Sequence, residues 1–285
     1  MTLLDGKKVS KEMLESLEKE VSSLHVQNHI HPKLAVINVG ANPASLAYIR
    51  QKQKACDETG IEWEQFDYGE DVTTEELIEK IEELNGDNLF HGILVQLPLP
   101  EKVYAPDVLK AIDPKKDVDG FTAYNIGKMF ISSEFEHLAP CTPMGVIRLL
   151  EHYDIEVKGK EVVMVGHSNI VGKPLAMMLL NRDATVTVCH VHTKDLKSHT
   201  LRADILCVAV GKVGLIGADM VKEGAVVVDI GINREGGKLV GDVEFDEVSK
   251  KASYITPVPG GVGPMTVACL MENTVTAAKR LNNLK

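Results

Sequence analysis

Val162-Val163-Met164-Val165-Gly166-His167-Ser168-Asn169-Ile170-Val171-Gly172-Lys173-Pro174 reads as a strand, a glycine turn and the opening of a helix. Four consecutive apolar residues suit a strand buried on both faces, as in a parallel sheet. Gly166 permits a tight turn at the strand end, and Ser168 places a hydroxyl beside the turn amides. The helix opening near Gly172 directs its positive end at an anion. The pattern departs from G-x-G-x-x-G, because Ser168 replaces the middle glycine and the last glycine comes six residues after the first. The same physics can still apply, and the stretch reads either as a common strand-to-helix glycine turn or as a dinucleotide phosphate turn, the latter favoured where it is the first such turn of a βαβαβ unit.

The alternation continues outward in both directions. Downstream, residues 184–188, 204–210 and 225–230 are apolar runs that each end near a glycine or a polar residue. Upstream, Val9, Met13, Leu14, Leu17, Val21 and Leu24 recur at helical spacing, and residues 34–40 form an apolar strand. Asn42-Pro43 opens a helix running to about Glu58 that Gly60 stops, and residues 61–68 are strand-like. Leu77, Ile78, Ile81 and Leu84 mark a further helix, and residues 92–97 a buried strand. Apolar strands alternating with amphipathic helices predict an α/β fold with parallel sheets covered on both faces. In such sheets ligands bind beyond the carboxyl ends of the strands, so Gly166, His190, Gly211 and Gly231 are expected on one rim. The expected domains are residues 1–139, a Rossmann-like NAD(P)-binding unit at 140–264, and a C-terminal helix at 265–285 returning to the first domain.

The strand after the glycine turn ends in Cys189-His190-Val191-His192-Thr193-Lys194. A carboxylate here would hydrogen-bond the ribose 2′-hydroxyl of NAD, but none occurs before Asp195. Neutral or cationic groups suit a 2′-phosphate better, so NADP is expected, with NAD as the alternative. Cys189, His190 and His192 also raise a metal site. Strand alternation sets Cys189 on the opposite face from the histidines, and no further ligand set has suitable spacing, so no metal is expected.

The chain has 285 residues, 44% of them apolar and 25% charged, which suits a globular protein of two domains. A net charge of -10 argues against a general nucleic-acid surface. The five cysteines are scattered without a C-x-x-C pair, as expected of reduced thiols in a cytosolic protein. The N-terminus lacks the apolar core of a signal peptide, and no apolar run approaches the ~18 residues of a membrane span. A cytoplasmic protein is expected.

Four further features carry chemistry. Tyr48 and Lys52 lie four apart on one helix, which is either a solvated face or a ring beside an amine suited to a flat heterocycle. A lysine in a partly dry cleft can exchange protons near neutrality. Gln96, followed by Leu97-Pro98, is a polar residue at the carboxyl end of a buried strand. Asp117-Val118-Asp119-Gly120 is an acidic turn that could serve as an Asx-turn, a metal-binding D-x-D, or an acceptor for the N–H groups of a heterocycle. Finally, residues 256–266 read Thr-Pro-Val-Pro-Gly-Gly-Val-Gly-Pro-Met-Thr. This composition predicts a shaped loop that is neither helix nor regular strand, at a strand-to-helix junction, with helix from about Met265.

These motifs occur together and in order: Tyr48-x-x-x-Lys52, Val95-Gln96-Leu97-Pro98, Lys116-Asp117-Val118-Asp119-Gly120, Pro140-Cys141-Thr142-Pro143, the Gly166 turn and residues 257–266. Together they resemble the bifunctional methylenetetrahydrofolate dehydrogenase/methenyltetrahydrofolate cyclohydrolase family, over essentially the whole chain. The resemblance implies NADP-dependent oxidation of methylenetetrahydrofolate to methenyltetrahydrofolate, then hydrolysis to 10-formyltetrahydrofolate. It implies a proton-transferring role for Lys52 with Gln96 as its partner, Tyr48 against the pterin, and Asp119 accepting from pterin nitrogens. Leu97, Pro257, Gly260 and Gly261 would border the folate. Gly166, His167, Ser168, Gly172, His190 and Val191 would hold the cofactor, with Ile232 beside the nicotinamide. A homodimer built through the cofactor domain is implied as well. Many members carry Arg where this chain has His167 and Ser where it has Val191, so weaker NADP binding or tolerance of NAD is expected. The alternatives are retention of only one activity, or a preference for NAD. Other two-domain dehydrogenases and non-catalytic nucleotide-binding modules would leave Lys52, Gln96 and Asp119 unexplained.

Overall fold

The computed structural model describes residues 1–284 and alternates strand and helix almost throughout. Its first elements are β1 (Thr2–Leu3), α1 (Gly6–Ser23), β2 (Lys33–Val39), α2 (Pro43–Thr59), β3 (Glu62–Tyr68), α3 (Thr74–Gly86), β4 (Gly92–Val95), α4 (Ala105–Ala111) and α5 (Ala123–Ile131). There follow α6 (Cys141–His152), β5 (Glu161–Val165), α7 (Gly172–Leu180), β6 (Thr185–Cys189), α8 (Leu196–Thr200), β7 (Ile205–Val208) and β8 (Val226–Asp229). The chain ends with β9 (Asn233–Glu235), β10 (Lys238–Val240), α9 (Phe245–Val248), β11 (Tyr254–Ile255) and α10 (Val262–Leu281). Two units result, one of residues 11–128, 134–141 and 267 onward, the other of residues 1–10, 129–133 and 142–266.

The first unit holds a parallel sheet in the order β3-β2-β4. Its core joins Ala35, Ile37, Ile93 and Val95 on the strands to Leu77, Ile81 and Leu84 on α3. The helix boundaries follow local chemistry. The Asn42 side chain accepts from the Ala44 and Ser45 amides at the start of α2, and Gly60 closes it in the left-handed region at φ 75°. Thr73 and Glu76 form a reciprocal capping box on α3. From Val267 onward α10 packs in this unit, where Lys279 pairs with Glu20 at 3.0 Å, so the last helix returns to the first unit as expected.

The second unit is a six-stranded parallel sheet, β1-β11-β8-β7-β5-β6, with a separate antiparallel hairpin of β9 and β10. Val163, Val165, Leu206, Val208, Val227 and Ile255 fill one continuous core.

Two details differ from expectation. Residues 1–10 pack with the six-stranded unit rather than with the rest of residues 1–139, because Thr2 and Leu3 pair in parallel with Tyr254 and Ile255. Residues 262–264, expected as irregular loop with helix only from about Met265, already belong to the first turn of α10. Pro264 is tolerated there because the leading amides of a helix have no intrahelical acceptor. Among the described residues no helix is long and apolar enough to cross a membrane.

Candidate active site

In the three-stranded unit, α2 carries Tyr48 and Lys52 one turn apart, with Tyr48 half-buried and Lys52 only 8% exposed. Lys52 Nζ donates to Gln96 Oε1 at 3.0 Å. Gln96 Nε2 donates to the Leu97 carbonyl at 2.7 Å, which fixes the amide so that its oxygen faces the lysine. Gln96 lies one residue beyond β4 rather than within the strand, yet its N–H still donates to Ile37 O at 2.9 Å. The ladder thus seats the side chain at the strand's carboxyl end, followed by a cis Leu97–Pro98 bond.

The two acids of the Asp117–Gly120 turn do different work. Asp117 accepts from the Phe121 and Thr122 amides at 3.1 and 2.8 Å and from Asn125 Nδ2 at 2.9 Å, so it is spent on folding the turn. Asp119 retains partial accessibility, yet desolvation raises its carboxyl above the usual range, opposed by the nearby Lys52 charge and reinforced by Asp117. Among the described residues no group of three acid, histidine or cysteine side chains is placed to hold a metal ion.

Two residues that hold this site have no role legible in the sequence, although Lys116 stands within the quoted motif. Lys116 Nζ donates to the carbonyls of Leu84, Asn85 and Asp87 at 2.9, 2.9 and 2.7 Å, closing the end of α3. Asn273, in the middle of α10 and 4% exposed, donates to Val118 O and Ala139 O at 2.8 and 2.9 Å, fixing the residue before Asp119. An asparagine among the apolar residues of a buried helix was the signal available for it.

In the six-stranded unit the carboxyl ends of β5, β6, β7 and β8 share one edge, as parallel strands require. Gly166 adopts φ 119°, and a Cβ there would collide with the Ala209 carbonyl; a Cβ on Gly172 would collide with the Gly166 carbonyl. Glycine is therefore needed at both ends of the turn. The Ser168 hydroxyl accepts from the Val171 and Gly172 amides at 3.2 and 3.3 Å. These leading amides are thus taken up locally rather than free for a phosphate. The exposed Ser168 keeps its own hydrogen for an external acceptor.

His190 and His192 stand in a turn beyond β6, where Thr193 N donates to His190 O at 2.8 Å, so strand alternation does not extend to them. The His167 and His190 rings lie 5.0 Å apart, Val191 is 86% exposed and Ile232 is also exposed. Two aspartates missed in the sequence shape the same edge. Asp242 accepts from the Val210, Gly211 and Lys212 amides and from Asn233 Nδ2, within 2.7–3.0 Å. Asp229 accepts from the Gly231, Asp242 and Val243 amides, while burial pushes its carboxyl up to about 6. The loop of Pro257, Gly260 and Gly261 includes a cis Val258–Pro259 bond and is anchored by Lys7 N donating to Gly260 O at 3.0 Å. These residues fit NADP: a glycine turn, a free hydroxyl hydrogen, and imidazoles rather than a carboxylate after β6.

Two family models match the chain. Residues 4–119 match the tetrahydrofolate dehydrogenase/cyclohydrolase catalytic domain, and residues 140–282 match the NAD(P)-binding domain of the same enzymes. The chain belongs to the tetrahydrofolate dehydrogenase/cyclohydrolase family. Within this family, the Bifunctional protein FolD of Nautilia profundicola is 54% identical over 280 residues, covering 98% of each chain. The crystal structure of the FolD methylenetetrahydrofolate dehydrogenase/cyclohydrolase from Campylobacter jejuni is 52% identical with a TM-score of 0.95, covering 98% of this chain and 99% of that one. The Trypanosoma brucei family member, solved with NADP and an inhibitor, is 38% identical with a TM-score of 0.94, covering 98% of both chains.

Proposed function

We propose that the protein oxidises 5,10-methylenetetrahydrofolate to 5,10-methenyltetrahydrofolate with NADP+ and hydrolyses that product to 10-formyltetrahydrofolate, within one-carbon metabolism. The observation that carries the reading is the buried Lys52, hydrogen-bonded to Gln96 and within the field of Asp119. Tyr48 packs against the pterin and Asp119 accepts from its nitrogens, while Leu97, Pro257, Gly260 and Gly261 border the folate. Gly166, His167, Ser168, Gly172, His190, Val191 and Ile232 hold the cofactor. When bound, NADP+ accepts the hydride, and the one-carbon bridge is left as a cation shared by two nitrogens.

Hydrolysis then depends on the chain's own groups. Lys52, acting as its neutral amine, takes one proton as water adds to the cationic carbon and returns it to N5 as the carbon–N5 bond breaks. The remaining hydroxyl proton leaves to solvent as the formyl carbonyl forms on N10. Gln96 keeps the amine directed at the reacting carbon, a matter of positioning more than of charge. The enzyme works in the cytoplasm as a homodimer assembled through the six-stranded unit, whose edge strand β6 is open. Light scattering checks the dimer.

The test supplies 5,10-methylenetetrahydrofolate and NADP+ to the parent and to Lys52→Met, following NADPH and the methenyl product separately. The parent forms NADPH and 10-formyltetrahydrofolate, and the variant loses hydrolysis by about a hundredfold or more. A parent that reduces neither NADP+ nor NAD+ would remove the dehydrogenase reading. Undiminished hydrolysis in Lys52→Met would remove the role of Lys52.

A further inference from the structure

Resting on the reading that Ile232 lies beside the nicotinamide and that Gly260 and Gly261 border the folate, we propose that Thr256 is a positioning residue for hydride transfer, its buried hydroxyl holding those two segments at a fixed spacing. Thr256 and Asp229 are both buried, and both belong to the six-stranded unit. β11 runs beside β8 as far as Ile255, and Thr256 N still donates to Val227 O at 3.1 Å. A regular parallel ladder would next pair Asp229 N with the Thr256 carbonyl. The hydroxyl takes that place instead. Asp229 N donates to Thr256 Oγ1 at 2.7 Å, and the same hydroxyl donates to Asp229 O at 3.1 Å. One side chain thus satisfies both main-chain groups at the end of β8, and the backbone beyond β11 is released to turn at Pro257.

Both ligand-facing segments leave from this bond. On one side Ile230 N donates to Val208 O at 2.8 Å and Gly231 N to Asp229 Oδ1 at 3.0 Å, so the path to Ile232 is set within three residues. On the other side the loop folds back on Thr256 itself, since a Cβ on Gly261 would stand 2.7 Å from both Pro257 O and Thr256 Cβ. The hydroxyl is therefore the shortest tie between the two.

Hydride transfer needs the reacting carbons within a few tenths of an ångström of their best approach, and a misplacement of about 1 Å can cost a hundredfold. Hydrolysis makes no such demand on the nicotinamide side. Its groups, Lys52 and Gln96, belong to the three-stranded unit. Loss of the Thr256 hydroxyl should therefore separate the two activities, which a general loss of structure would not do.

Thr256→Val keeps the branched shape without the hydroxyl, Thr256→Cys replaces it with a weak donor, and Thr256→Ser retains it. Oxidation of 5,10-methylenetetrahydrofolate by NADP+ and hydrolysis of 5,10-methenyltetrahydrofolate supplied directly are measured separately, with calorimetric NADP+ binding and amide hydrogen exchange alongside. Thr256→Val and Thr256→Cys lose about tenfold to a hundredfold in dehydrogenase kcat. Their hydrolysis rate and NADP+ affinity change less than about threefold. Deuterium at the bridging carbon slows both variants at least as much as the parent, and amides of residues 229–232 and 257–261 exchange faster in both. Thr256→Ser stays within about threefold of the parent throughout. An unchanged dehydrogenase kcat in the Val and Cys variants, a weaker isotope effect, or a Ser variant that fails as Val does would overturn the proposal. Equal loss of both activities in the Val and Cys variants would show that the hydroxyl serves the fold alone, and overturns it too. A parent that reduces neither NADP+ nor NAD+ removes the dehydrogenase reading itself, and the proposal with it.

Discussion

At the scale of single residues, Asp119 is where stability and the proposed folate-binding role oppose each other. Desolvation raises its carboxyl above the ordinary value of 3.8, outweighing the attraction of Lys52. A group whose pKa is raised on folding binds protons more readily in the folded state than in the unfolded one. Its ionisation therefore costs stability as pH rises from 3.8 through the raised value, and the cost vanishes on acidification. Asp119→Asn removes that cost, so urea midpoints should favour the variant increasingly between pH 3.8 and neutrality. The same change turns a charged acceptor into a neutral amide, and folate affinity should fall about tenfold to a hundredfold, as expected for one charged hydrogen-bonding site. A variant less stable than the parent at neutral pH, with folate binding intact, would show that the carboxylate serves the fold and not the substrate.

At the scale of elements, the site depends on groups that cap and latch rather than touch ligand. Lys116 belongs to the same short motif as Asp119, yet its amine satisfies three carbonyls at the end of α3. Lys116→Met leaves those carbonyls without their donor in a buried setting, a loss of about 2–4 kcal/mol by urea unfolding. Because Ile93 N donates to Lys116 O at 2.8 Å, the acidic turn is hung on β4, and KM for folate should rise in the same variant. A change in KM without a change in stability would contradict this assignment. The helices themselves were legible because their ends are written locally, in Asn42-Pro43, Gly60 and Thr73-x-x-Glu76. Lys116, Asn273 and Asp242 were not legible in this way. Each binds main-chain groups about thirty or more residues away, and periodicity carries no trace of such pairings.

At the scale of the whole molecule, both sheets could be read because parallel strands covered on two faces must be apolar along their length, as β4 and β7 are. β1 was not legible, because its two exposed residues have no period and gain their identity only from pairing with β11. That pairing ties the N-terminus to the glycine loop between β11 and α10. Gly6, the first residue of α1, sits so close that a Cβ would collide with the Gly261 carbonyl, and Lys7 N donates to Gly260 O. Backbone meets backbone here, so neither side can swing away as a flexible side chain would. Gly6→Ala should cost about 2–4 kcal/mol, in the range of overpacked and strained sites, and should raise KM for folate by displacing the loop. Gly127→Ala is the control: it lies in α5 with nothing within 4 Å of a new Cβ, and should gain about 0.5–1 kcal/mol from helix propensity alone. Thermal unfolding of the two variants, with KM for folate and NADP+, separates the outcomes. If Gly6→Ala tracked the control, the N-terminal tie would not be what shapes the loop. If it unfolded earlier with an unchanged KM for folate, the tie would serve stability alone and Gly260 and Gly261 would lose their place beside the substrate.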